Sequence, residues 1–174
     1  MKLQSCLKAK RSEILTRWHR VITDSYSSES VPFLNNPDPF ANPVGTTLLK
    51  SMETLLDELL SGASPDRLAP VLDRILRIRA VQDFLPSQAL AFLPALKDVV
   101  REVIGEEETD PVSEEVREFD ALVDRLTLLA VDIYVKCRET IYEIRVREFK
   151  DRAYKLLERA DLVCAAAPDS SGGL

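Results

Sequence analysis

Histidine is nearly missing from this chain: His19 is the only one, so no second imidazole exists around which to build a metal site. A lone histidine beside Trp18 reads as a surface or hydrogen-bonded residue. The three cysteines, Cys6, Cys137 and Cys164, are far apart and odd in number. They form neither a CxxC pair nor a zinc spacing, and a reducing cytoplasm is their simplest setting. With five glycines and almost no strand-like alternation, the chain is expected to be all-α. No apolar run approaches the roughly 18 residues of a membrane span. The start, MKLQSCLKAKRSEIL, is charged throughout, unlike a signal peptide. Positive charge is in deficit, 23 Lys and Arg against 29 Asp and Glu, and the net charge of -6 argues against nonspecific nucleic-acid binding. GxGxxG, Walker, HExxH and GxSxG motifs are absent, so no enzyme class is indicated, and no metal site or cofactor is expected.

What is present is enough for one domain with a real core: 174 residues, 45% hydrophobic and 30% charged. The rest is organised around the run 113–165, which no Gly or Pro interrupts. Ser113 is a good N-cap, and Glu114, Glu115 and Glu118 suit the positive end of a helix dipole. Val116, Phe119, Val123, Leu126, Ala130, Ile133, Cys137, Ile141 and Ile144 recur in steps of three and four and make a helical stripe. Leu122, Leu129 and Tyr134 widen it. Such a helix, roughly 75 Å long, exceeds the diameter of a compact domain of this size. Part of it is expected to pack inside the fold and part to project as a linker-like segment. The domain is expected to span 1–167, with a disordered tail at 168–174.

In chain order, the spacing predicts a first helix over 2–26, with Leu3, Leu7, Ile14, Leu15, Trp18, Val21 and Ile22 on one face. A loop, 25–42, follows, with Phe33, Leu34 and Phe40 expected to pack down. Asn42-Pro43 starts a second helix that Gly62 stops, with Val44, Leu48, Met52, Leu55, Leu56 and Leu59 inward. Ser64-Pro65-Asp66 starts a third to about residue 83, its regular part expected from Leu68 because of Pro70. Its face is Val71, Leu72, Ile75, Ile78 and Val81. Ser87 caps a fourth, 88–104, which Pro94 should kink and Gly105 ends. Beyond Tyr142 the long helix is charge-dense and reads as solvated or coiled.

Two stretches carry chemistry. RIRAVQDFLPSQ places Arg77, Arg79, Gln82, Asp83 and Gln88 around a helix corner. AVDIYVKCR embeds Asp132 among apolar residues, near Arg138. A carboxylate in such a setting is usually paired, with Arg79 or Arg77 as partner across the bundle. This cluster reads as a polar network pinning helix packing, as a pocket for a polar or anionic ligand, or as an exposed partner-binding face. Cys137 on the apolar stripe reads as a small buried hydrophobe.

DPFANPVG (38–45), RIRAVQDFLPSQAL (77–90) and DIYVKCRETIYEIRVRE (132–148) resemble the N-terminal domain of RsbR-type stressosome proteins, the RsbT co-antagonist family. The resemblance covers roughly 8–158. It implies a globin-like helical bundle with a long C-terminal helix, which dimerises and does not use haem. In the family that helix continues into a STAS domain bearing phosphorylated threonines. This chain stops in PDSSGGL, so a stand-alone version is expected. The residues agree on haem: the second and third helices, which would line the cofactor pocket, contain no histidine. The resulting expectation is a cytoplasmic, non-enzymatic sensory or regulatory module, working as a homodimer and with a protein partner. Its dimer interface is expected at Val116, Phe119, Val123, Leu126, Ala130, Ile133 and Cys137. The alternative is a protein binding a small anion or metabolite in a polar pocket.

Overall fold

The computed structural model describes residues 2–82, 84–105 and 114–159. The described residues are all-α, with no strand: α1 (Lys2–Ala9), α2 (Arg11–Thr23), α3 (Val31–Leu34), α4 (Pro43–Leu60), α5 (Pro65–Ala80), α6 (Pro86–Leu90), α7 (Phe92–Ile104) and α8 (Glu114–Arg159). The chain divides into two units, Met1–Arg138 and Glu139–Leu174.

In the first unit, α4 and α5 form a helical hairpin. Asn42 caps α4 with its side chain, and Gly62, at φ +75°, ends it in the left-handed conformation that favours glycine. Leu48, Met52, Leu55 and Leu56 of α4 are buried, as are Leu68, Leu72, Ile75 and Leu76 of α5. This packing explains why Pro70 does not delay the helix. An interior proline costs about 3 kcal/mol. Each buried leucine or isoleucine returns roughly 1.5–3 kcal/mol, and exposed Pro70 leaves the freed carbonyl near water. Regular helix therefore begins at Pro65, not Leu68. Ser64 is extended but makes no side-chain cap bond.

α2 and α7 form the other half of the core. Fully buried Trp18 donates its indole N–H to the Phe92 carbonyl at 2.6 Å, and the two rings lie 6.0 Å apart. The expected first helix is two helices, interrupted at Lys10, whose ammonium reaches the Val103 carbonyl at 2.7 Å. The expected kink at Pro94 is a full break one turn earlier, between α6 and α7. Proline then sits at the third position of α7, where the missing N–H falls among the unpaired donors of a helix start. Ser87 lies inside α6 and is not its cap; instead Gln88 Oε1 accepts from the Leu85 N–H at 3.0 Å. Gly105, at φ +87°, ends α7. The loop after α2 contains the one-turn helix α3. Leu34 packs down, but Phe33 and Phe40 are exposed, Phe40 at 98%. Val44 and Val81 are exposed as well.

The first part of α8 packs against this core. Glu115 accepts the Leu3 N–H at 2.7 Å, Arg101 pairs with Asp120, and Lys97 meets Asp124 at 2.6 Å. Val116, Val123, Leu126 and Ala130 are thereby buried within one chain. They were expected to meet a second chain, and that expectation is corrected: a side chain already covered has no surface left to offer. Phe119, Ile133 and Cys137 are half-buried. The Ser113 cap, the Asp83 end of the third helix, Cys164 and the 168–174 tail lie outside the described residues.

In the second unit, 139–159 is continuous helix. Its apolar residues Tyr142, Ile144, Val146, Phe149, Tyr154, Leu156 and Leu157 are exposed. Among the described helices none is long and apolar enough to cross a membrane.

Candidate functional site

The site is the corner where α5 ends. Two residues apart on a helix means about 200° of rotation, so Arg77 and Arg79 face opposite ways. Arg79 shares the buried face with Leu72, Ile75 and Leu76, while Arg77 is exposed and pairs with Asp73 at 2.6 Å. Arg79 is only 1% exposed. Its Nε donates to the Ala89 carbonyl at 2.8 Å, and Nη2 donates to the Gln88 carbonyl and to Ser25 Oγ, both at 3.0 Å. Ser25 Oγ in turn donates to the Ile22 carbonyl at 2.6 Å. The guanidinium lies 4.5 Å from the Phe84 ring centroid and 5.4 Å from that of Tyr26, and these two rings meet edge to face. The Tyr26 hydroxyl donates to Gln82 Oε1 at 2.9 Å.

A general rule of construction is visible here. The last carbonyls of a helix lack partners in their own helix. In this fold they receive donors from distant side chains. Gln4 reaches Leu60 at the end of α4, and Lys10 reaches Val103 in α7. Arg79 takes two carbonyls of α6, and Arg138 of α8 donates to Ala80 at the end of α5 at 2.9 Å. Arginine suits the α6 end because its planar fork serves several acceptors at once.

Of these four donors only Arg79 is buried. Burial pushes its pKa down, against upward pulls from Tyr26 and Tyr134. All three of its acceptors are neutral, and Nη1 has no hydrogen-bond partner. Tyr134 of α8 is 2% exposed and its hydroxyl also lacks a partner.

The sequence-predicted residues divide accordingly. Arg79, Gln82 and the Gln88 backbone meet at the corner, and Arg138 joins the same helix end through Ala80. Arg77 does not take part. Asp132 is exposed, so the expected buried pair with Arg79 is not made. The reason is helical phase: the buried face of α8 runs through Ala130 and Tyr134, and Asp132 lies about 200° from each. Asp83 lies outside the described residues. Sequence reasoning passed over Ser25, Tyr26 and Phe84, and read Tyr134 only as stripe; an aromatic on either side of an arginine-bearing corner was the available signal.

Chemically the corner holds charge and can donate hydrogen bonds, and among the described residues it contains no nucleophile–base pair. Among the described residues no group of three His, Cys, Asp or Glu could hold a metal. Cys137 lies 3.9 Å from Asp73, and burial followed by that carboxylate raises its thiol pKa.

A family model described as the RsbT co-antagonist protein rsbRD N-terminal domain matches residues 12–149. No curated protein and no solved structure matches the chain.

Proposed function

The chain belongs to the RsbT co-antagonist rsbRD N-terminal domain family, a stressosome-type regulatory family and not an enzyme family, and on that premise we propose that it is a sensory module that forms a homodimer and signals through α8. The observation that carries the dimer is on α8 itself. Leu128, Val135, Tyr142, Phe149 and Leu156 recur every seven residues, and all five are exposed. An apolar residue every seven fills one of the two apolar positions of a coiled-coil heptad, from which a side chain enters a hole on a second helix. An identical α8 from another copy supplies that partner. A globin-like arrangement of the first unit, a cytoplasmic location and a protein partner in a regulatory complex belong to the same proposal. The location is supported by cysteines that are few, odd in number and far apart in the sequence.

Sedimentation velocity tests the reading. The wild-type chain should sediment as a dimer at micromolar concentration. Tyr142→Glu combined with Phe149→Glu should give a monomer that keeps the first unit folded. A wild-type monomer at high micromolar concentration would sink the dimer.

The second reading, binding of a small anion or metabolite, is favoured by one observation: Arg79 is buried with an unpartnered Nη1 and pairs with no carboxylate among the described residues.

A further inference from the structure

We propose that Arg79 and Tyr134 together bind one small monoanion of the carboxylate class. Arg79 is buried with its fork part-used: Nε and Nη2 are satisfied, while Nη1 is buried and unpartnered. Tyr134 brings a second buried, unpartnered donor from a different helix. The two are neighbours. Arg138, one helical turn after Tyr134, bonds the carbonyl of Ala80, the residue after Arg79, and Tyr134 is among the groups acting electrostatically on Arg79.

Charge decides the ligand class. No carboxylate among the described residues pairs with Arg79, and its acceptors are two carbonyls and a hydroxyl. A buried charge without a counter-charge is strongly unfavourable. Water at Nη1 would complete the hydrogen bonds but leave the positive charge. A dianion would reverse the imbalance. One negative charge, on an oxygen that accepts from both Nη1 and the phenol, balances it. Phe84 and Tyr26 cover the guanidinium, which favours a small, flat ligand such as formate or acetate. Such a ligand would join the α5–α6 corner to α8. That coupling rests on the sensory reading above; the binding does not.

The test is a titration of the full chain with sodium formate and sodium acetate at constant ionic strength. Sodium sulfate is the balancing salt and the dianion control. Melting temperature and isothermal titration calorimetry are the readouts, with sedimentation velocity run on the same samples. The wild type should show saturable one-site binding and a rising melting temperature. Tyr134→Phe should fold, because it deletes only an unpartnered hydroxyl, and should bind roughly 10- to 100-fold more weakly, the value of a hydrogen bond to a charged group. Arg79→Gln should abolish binding; if it does not fold, the phenylalanine variant still decides. A melting temperature that follows ionic strength alone, or equal binding by Tyr134→Phe, overturns the proposal. Saturable binding by a chain that sediments as a monomer supports the site and removes only the dimer.

Discussion

Asn42→Asp separates two accounts of how α4 begins. As a helix cap, asparagine and aspartate are nearly equivalent, and the negative charge at the helix start adds roughly 0.3–1 kcal/mol in favour of aspartate. Asn42, however, does more than cap. Its Oδ1 accepts the Gly45 N–H at 2.7 Å, while Nδ2 donates to the Leu34 carbonyl at 2.6 Å and the Asn36 carbonyl at 3.0 Å. The residue is 7% exposed, so the amide clamps the preceding loop onto the helix. Aspartate keeps the acceptor but loses both donors and places a carboxylate oxygen against two carbonyls. An unsatisfied buried acceptor costs about 1–3 kcal/mol. The Leu34 carbonyl is the buried one, and the half-covered Asn36 carbonyl adds a fraction. After the dipole gain, a net loss of about 1–3 kcal/mol remains. For a chain of this size that is a melting temperature lower by roughly 2–12 °C. Thermal melts followed by circular dichroism, with urea unfolding alongside, read this directly. At pH near 4 the introduced carboxyl gains a proton and can donate once, so the deficit should shrink. A variant within 0.5 kcal/mol of wild type at pH 7 would refute the clamp and leave Asn42 as a simple cap.

Gly45→Ala should destabilise by a similar mechanism, since an added Cβ would collide with the Asn42 side chain and the Leu34 carbonyl; a melting temperature at or above wild type would contradict it. Trp18→Phe removes the indole donor to Phe92 and leaves a gap in the core, for a loss of about 1–3 kcal/mol in urea unfolding. Burial pushes the His19 pKa below its ordinary 6.5, with Glu53 pulling it back. The unfolded chain therefore binds the proton more readily, and the His19 contribution is present above pH 6.5 and lost as pH falls through the folded-state pKa. His19→Gln should flatten urea midpoints between pH 7 and 5, and an unchanged slope would assign it to other groups. Cys137 should react more slowly with iodoacetamide at pH 8 than an unstructured thiol, because burial and Asp73 both disfavour its thiolate. Labelling at the rate of the urea-unfolded chain would contradict that.

Local chemistry made much of the fold legible. Asn42-Pro43, Gly62 and Gly105 mark helix ends through backbone preferences that need no distant partner. The helix class followed from periodicity and from few glycines. The interruption at Lys10 and the break before Phe92 were not visible, because there the packing of neighbouring helices selects the boundary.

By itself, then, the sequence determined an all-α chain, where most helices start and stop, and the family to which it belongs. Only the tertiary structure decided which charged residue went inside. Arg77, Arg79 and Asp132 all stand among apolar neighbours, yet only Arg79 is buried. On α8, Leu126, Ala130 and Tyr134 are covered while Leu128, Val131 and Val135 are exposed. A helix with apolar residues on several sides has no unique phase until another element covers one of them, and the donors that finish its ends come from residues far away in the chain.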